Sequence, residues 1–292
     1  MKVLFATSEA APFVKTGGLG DVAGSLPKAL CDKKIDARVI LPLYKKIKEK
    51  FYGQLEYIGN TVVDLSWRRQ YCGIHQLEKD GVIYYFIDNR YYFDRETLYG
   101  CFDDGERFAF FCMAVMEMMP KIGFFPDVLH AHDWQSALSI IYLRTKYNWM
   151  QEYRSIKTVY TIHNIDYQGI YDMSILGDVF GLSDYEHSIV EYNGMINLTK
   201  GAIVCCDRLT TVSPGYAKEI QTEYYSSGLH HIIRMYKDKI CGIINGIDTD
   251  YYTPGTDEKI TEKFTTETIE KKAVNKRALQ AAFNLPERED VP

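Results

Sequence analysis

The chain has 292 residues, 46% of them hydrophobic and 25% charged, an ordinary globular composition with material for about two domains. Its net charge is −5, from 34 basic and 39 acidic residues, and its densest basic run (Lys45, Lys46, Lys48, Lys50) reads as a solvated helix face, which argues against nucleic-acid binding. The longest apolar run, residues 108–116, is too short for a membrane span, and residues 3–6 are too short for a secretory core, so membrane, secreted and disordered classes are set aside.

In chain order, residues 2–7 form an apolar first strand. A glycine-bearing loop and a helix over 19–33 follow, the helix kinked by Pro27. Residues 36–43 carry the dense Val/Ile pattern of a parallel strand buried on both faces. Alternating segments at 57–65, 71–77 and 82–87, with turns at Gly59 and Gly81, predict a β-hairpin insertion. Asp103 and Glu106 are spaced like a capping box, and Phe108, Phe111, Cys112, Val115, Met118 and Met119 then follow a 3.6-residue period as a core stripe.

Strands and helices alternate from there on: strand 127–131, helix 134–147, strand 157–162, helix 195–206, strand 208–212, helix 214–223 and strand 239–244. This alternation predicts a doubly wound α/β domain over residues 1–245, with ligands at the carboxyl ends of its strands. Residues 246–292 read as a polar linker and a stub of a second, truncated domain carrying one helix over 271–283.

Seven cysteines (Cys31, Cys72, Cys101, Cys112, Cys205, Cys206, Cys241), none in a C-x-x-C pair, read as reduced, largely buried thiols of a cytoplasmic protein. The 23 tyrosines suit sugar faces, which is a hint only.

Three polar clusters follow three strands. Lys15-Thr16-Gly17-Gly18-Leu19-Gly20-Asp21 lies where α/β folds bind phosphate, since glycines let backbone N–H groups approach an anion at a helix N-terminus. The same segment can also be a glycine turn that starts a helix. Its G-x-G-x-x-A pattern (Gly18, Gly20, Ala23) is a weak dinucleotide fingerprint. An NAD-dependent oxidoreductase is the poorer reading, because the second strand ends Leu41-Pro42-Leu43-Tyr44 without the acid that a ribose needs.

His130-Ala131-His132-Asp133-Trp134 offers two histidines at metal-like spacing but no third ligand nearby. Asp133 caps a helix and contacts substrate, or the segment is plain structure. His163 and Asn164, in Thr161–Gly169, bring an imidazole and an amide to the same sheet edge. Asn245-Gly246-Ile247-Asp248 is either a tight turn or a further piece of the site.

Together, KTGGLGDV at 15–22, HAHDWQ at 130–135, TIHNIDYQG at 161–169 and NGID at 245–248 resemble the bacterial glycogen synthase and plant starch synthase family. The loop 91–100 and the stretch 193–214 are similar to it as well. The resemblance implies the Rossmann-like N-terminal domain of a GT-B glycosyltransferase, transferring glucose from ADP-glucose to an α-1,4-glucan with retention of configuration.

It implies donor contacts from Lys15, Gly17, Gly18, Asp21 and Asn164, catalytic roles for His163 and Asp133, and acceptor or cleft positions at Asn245 and Tyr92. It implies no metal and no cofactor, and ADP-glucose and glycogen or malto-oligosaccharides as partners, with no nucleic acid and no membrane. On the same resemblance the chain alone is expected to fold yet transfer little glucose, and a non-catalytic glucan-binding fragment is the alternative.

Overall fold

The computed structural model describes residues 1–291, which divide into a compact unit Met1–Gly246 and a second unit beginning at Ile247. The strands are β1 (Lys2–Ala6), β2 (Asp36–Pro42), β3 (Glu56–Leu65), β4 (Arg68–Lys79), β5 (Val82–Asp88), β6 (Val128–His132), β7 (Lys157–Ile162), β8 (Ile170–Asp172), β9 (Glu191–Tyr192), β10 (Met195–Asn197), β11 (Arg208–Thr211) and β12 (Ile240–Gly242). Nine of them form one sheet in the order β12-β11-β7-β6-β1-β2-β5-β4-β3.

From β12 to β5 all neighbours are parallel, and the order runs outward from β1 in both directions, as a doubly wound fold requires. The reversal lies between β1 and β6, where Ala6, the last residue of β1, pairs with Ala131, one residue before the end of β6. That is where a crevice opens, because the crossovers leave β1 and β6 to opposite sides.

The expected hairpin is present, but its strands extend the main sheet: β4 runs antiparallel to β5, and β3 to β4. The β4–β5 loop is Asp80-Gly81 with φ of 52° and 76°, and the left-handed pair matches the twist of a two-residue hairpin turn.

Among the helices that flank the sheet are α1 (Gly18–Asp32), α2 (Lys45–Phe51), α3 (Arg90–Phe93), α4 (Asp104–Ile122) and α5 (Asp133–Tyr142). α1 continues through Pro27 as one helix. The whole predicted stripe of α4 is buried, and so are Ala109, Phe110, Met113, Ala114 and Met116, so the helix is apolar around most of its circumference. Gly123 closes it in the left-handed conformation at φ 62°.

The capping box expected at its start does not form. Asp103 makes no cap and is held by Arg95 at 2.5 Å, while Glu106 accepts from the Tyr92 hydroxyl at 2.6 Å. Arg95 of the preceding loop takes the Asp103 carboxylate, and Tyr92 with Arg68 of β4 takes that of Glu106, so neither is left for the orphan N–H groups.

Other boundaries shift for local reasons. α5 ends at Tyr142 and passes into a wider π-helical segment, Leu143–Tyr147. The region predicted as a helix from 195 opens as strand β10. Asn197 then accepts from the Lys200 N–H at 2.9 Å and starts the helix Leu198–Cys205. A small antiparallel sheet, β8-β10-β9, and the helix His230–Met235 carry too little periodicity to be read in advance. All seven cysteines are free thiols. Cys72, Cys112 and Cys206 are buried, whereas Cys241 is exposed.

The second unit holds the helix Lys272–Ala282, preceded by a 3-10 turn that Thr265 and Thr268 cap reciprocally. Among the described residues no helix is long and apolar enough to cross a membrane.

Candidate active site

The loop leaving β1 doubles back on α1. The Ala11 N–H donates to Gly20 O at 2.9 Å, and a Cβ on Gly24 would meet Ala11 O at 2.5 Å. Gly20 is equally confined, with Lys15 side-chain atoms 3.0 Å from its would-be Cβ. Gly17 and Gly18 differ: a Cβ on either meets nothing within 4 Å. No protein atom demands glycine there, so the bare backbone is open to a ligand. Accordingly Gly24→Ala should destabilise the fold by roughly 1–3 kcal/mol through overpacking. Gly18→Ala should keep the melting temperature and weaken binding of a phosphate-bearing ligand at this loop. Equal melting losses in the two variants would sink this distinction.

Glu9, which the motif reading missed, holds this loop. It is 3% exposed and accepts from both the N–H and the Oγ1 of Thr16, and from the Tyr99 hydroxyl at 2.6 Å. A lone acid in the apolar run after the first strand was the available signal. Tyr99 in turn sits on a loop pinned by the buried Arg107–Asp104 pair. Arg107 donates to Tyr92 O at 2.7 Å and Leu98 O at 3.3 Å, and Asp104 accepts from the Gly100 and Cys101 N–H groups at 2.7 and 3.2 Å.

Glu9, Thr16, Gly17, Gly18, Tyr99, Asp104, Asp133, Trp134, Gln135, His163, Asn164, Tyr167 and Asn245 are among the residues that line one cleft of about 810 Å³ at the carboxyl ends of β1, β6 and β7. Six expected site residues therefore meet there: Gly17, Gly18, Asp133, His163, Asn164 and Asn245. Lys15 and Asp21 do not line this volume. They pair with each other at 2.6 Å, with side chains 39% and 38% exposed.

Tyr92 is a correction: it is fully buried and packed on Phe110 at 4.8 Å, with its hydroxyl spent on Glu106. Tyr99 is the tyrosine of that loop that reaches the cleft.

Asp133 does not cap α5; it is the helix's first residue, in a left-handed conformation at φ 53°. That turn sends its Oδ1 to the His163 N–H at 2.8 Å, joining the ends of β6 and β7. Burial pushes its carboxyl up to about 7, against the pull of the His163 and Asn164 N–H groups, and the charge of Glu9 adds to the rise.

An unfolded aspartate titrates near 3.9, so between about pH 4 and 7 the folded state keeps a proton that the unfolded state releases, and stability falls as pH rises. Asp133→Asn removes that penalty. Its melting temperature relative to the parent should therefore climb from pH 4 to pH 8, and a pH-independent difference would contradict the assignment.

The histidines form an interior stack. His130 and His132 lie 4.1 Å apart, and their nitrogens point to Thr161 Oγ1 at 2.6 Å and to His163 Nε2 at 2.9 Å. They do not converge on a common point, and among the described residues no group of three or more His, Cys, Asp or Glu is placed to hold a metal ion. Burial lowers His130 to about 3 and His163 to about 4, so both are neutral at pH 7.

Comparison with known proteins fits this geometry. Residues 2–235 match the family described as the starch synthase catalytic domain. The chain belongs to that family. It is 49% identical over 294 residues to glycogen synthase from Geobacillus thermodenitrificans and 48% identical over 294 residues to that of Streptococcus mutans, covering all of this chain and 61% and 62% of theirs. It thus spans about 61% of the length of such relatives.

Among solved structures, the catalytic domain of starch synthase IV from Arabidopsis thaliana, bound to ADP and acarbose, superposes with a TM-score of 0.86 at 32% identity. The match covers 99% of this chain and 60% of that one. The fold is that of the Rossmann-like half of a GT-B glycosyltransferase.

Proposed function

We propose that this chain supplies one wall of the active site of a retaining glucosyltransferase that moves glucose from ADP-glucose to the non-reducing end of an α-1,4-glucan, in the cytoplasm and without a metal or cofactor. The observation that carries this reading is the open Gly17-Gly18 backbone, clamped through Glu9 and Thr16, in one cleft with Asp133 and His163.

The glycine N–H groups and the N-terminus of α1 receive the diphosphate, and Lys15 exchanges Asp21 for it. His163 and Asn164 contact the transferred glucose. Tyr99, Trp134 and Tyr167 offer ring faces to the acceptor, whose hydroxyl lies near Asp133 and Asn245. Negative charge develops on the leaving diphosphate, so fixed donors and a cation beside it lower the barrier more than they tighten ground-state binding. The Arabidopsis neighbour, bound to ADP and acarbose, supports a nucleotide and a glucan mimic as the ligand classes.

The test is transfer of labelled glucose from ADP-glucose to malto-oligosaccharide by this chain extended to its relatives' length, with the new linkage read by NMR. New α-1,4 linkages are expected. Equal use of UDP-glucose, or β-configured product, would overturn the donor or the stereochemical part respectively.

A further inference from the structure

His132 is 0% exposed and does not reach the cleft, yet its Nδ1 lies 2.9 Å from Nε2 of His163, which does. Its ring stacks on His130 at 4.1 Å and on Phe5 at 5.5 Å, with interplanar angles of 29° and 17°. Its other nitrogen, Nε2, is buried with no hydrogen-bond partner among the described residues.

We propose that His132 is a positioning residue for the transfer reaction proposed above: it donates from Nδ1 to Nε2 of His163, and so holds His163 in the tautomer whose Nδ1–H faces the cleft.

A hydrogen bond between two neutral imidazoles needs one donor, which leaves two arrangements. In the first, His163 donates, and the proton of His132 sits on the sealed Nε2. The stacked rings of His130 and Phe5 cannot take it, because they lie over the faces of the ring while the N–H lies in its plane. In the second, His132 donates and the sealed atom is a bare nitrogen. A buried orphan N–H is the rarer and costlier outcome, so the second arrangement wins.

The same choice leaves His163 with a donor at Nδ1, which is neither sealed nor paired among the described residues. The residue is fixed from the main chain as well, by its N–H to Asp133 Oδ1 at 2.8 Å. Burial keeps both rings neutral, so the donor acts as a hydrogen-bonding group and delivers no net charge. A neutral donor of fixed direction suits a sugar hydroxyl.

The experiment is ¹⁵N–¹H correlation of the 292-residue chain labelled at histidine, at pH 7 without substrate, with His163 assigned by its loss in His163→Gln. The expected spectrum shows a protonated Nδ1 and a bare Nε2 on His163. A protonated Nε2 there overturns the proposal, and this reading needs no His132 variant.

His132→Phe keeps the stack and deletes the donor. In it the His163 signals should move toward a tautomer mixture, and kcat of the extended chain should fall by about 10- to 100-fold with KM changed little. His132→Asn, whose amide nitrogen takes the place of Nδ1, should restore most of both. An unchanged His163 tautomer in His132→Phe defeats the assignment. Because the tautomer is read without substrate, it can fail while the transfer reading stands, and the reverse is also true.

Discussion

In the chain extended to its relatives' length, replacing His163 by alanine is expected to cut the proposed glucosyl transfer by about 100-fold, mostly in kcat, while the protein stays folded. His163 is held at two points, its ring by His132 on Nε2 and its main-chain N–H by Asp133 Oδ1. A group so fixed contributes chiefly by orientation, and misplacing or losing such a group costs on the order of 100-fold. The substitution also strands the buried Nδ1 of His132, which costs about 1–3 kcal/mol of stability. That is a fraction of the usual 5–15 kcal/mol, so the melting temperature should drop without loss of the fold. Paired measurement of kcat and KM against thermal melting separates the two effects. Wild-type turnover in a well-folded His163→Ala protein would mean that the cleft has been misplaced.

The second large effect is expected from Lys15→Ala. Its ion pair with Asp21 is more than a third exposed on both sides, and such pairs contribute only about 0–1 kcal/mol to stability. Melting should hardly change. A charge-assisted contact to phosphate is worth roughly 1.5–3 kcal/mol, which corresponds to a ten- to hundredfold loss of transfer. The loss should shrink as salt is added, since an exposed cation acting on a diphosphate is screened. Asp21→Asn separates this role from structure: it removes the ion pair of Lys15 with Asp21 but keeps the ammonium, and should leave transfer intact or raise it. A parallel loss in Lys15→Ala and Asp21→Asn would show that the ion pair itself is what the site needs.

Much of this was legible in the residues. The parallel strands announced themselves because burial on both faces forces unbroken apolar runs such as Val39-Ile40-Leu41. Glycine-rich and His/Asn-bearing turns at three strand ends then had to meet, since parallel strands share one carboxyl edge. What the sequence hid was tertiary.

Asp103 and Glu106 have capping spacing, yet Arg95, Arg68 and Tyr92 compete for them from segments distant in sequence. Tyr92 and Tyr99 are alike by composition, and tertiary contacts place them: the Arg107–Asp104 clamp shapes their loop, Glu9 takes the Tyr99 hydroxyl at the cleft, and Glu106 takes that of Tyr92, which packs on Phe110. Asp133 looked like a helix cap because its spacing from Trp134 allows it. Its left-handed φ, invisible in sequence, turns the carboxylate to the β7 end instead.

The most direct measurement of the central claim, that the crevice between β1 and β6 is where sugar binds, is titration of the histidine-labelled chain with ADP-glucose and a malto-oligosaccharide together. Of its seven histidines, only His163 lines the cleft. His163 should shift in a saturable way, with His132 following through their shared hydrogen bond, while His75, His187, His230 and His231 stay still. Saturable shifts confined to those four, or no shift at His163 at saturating ligand, would contradict the account.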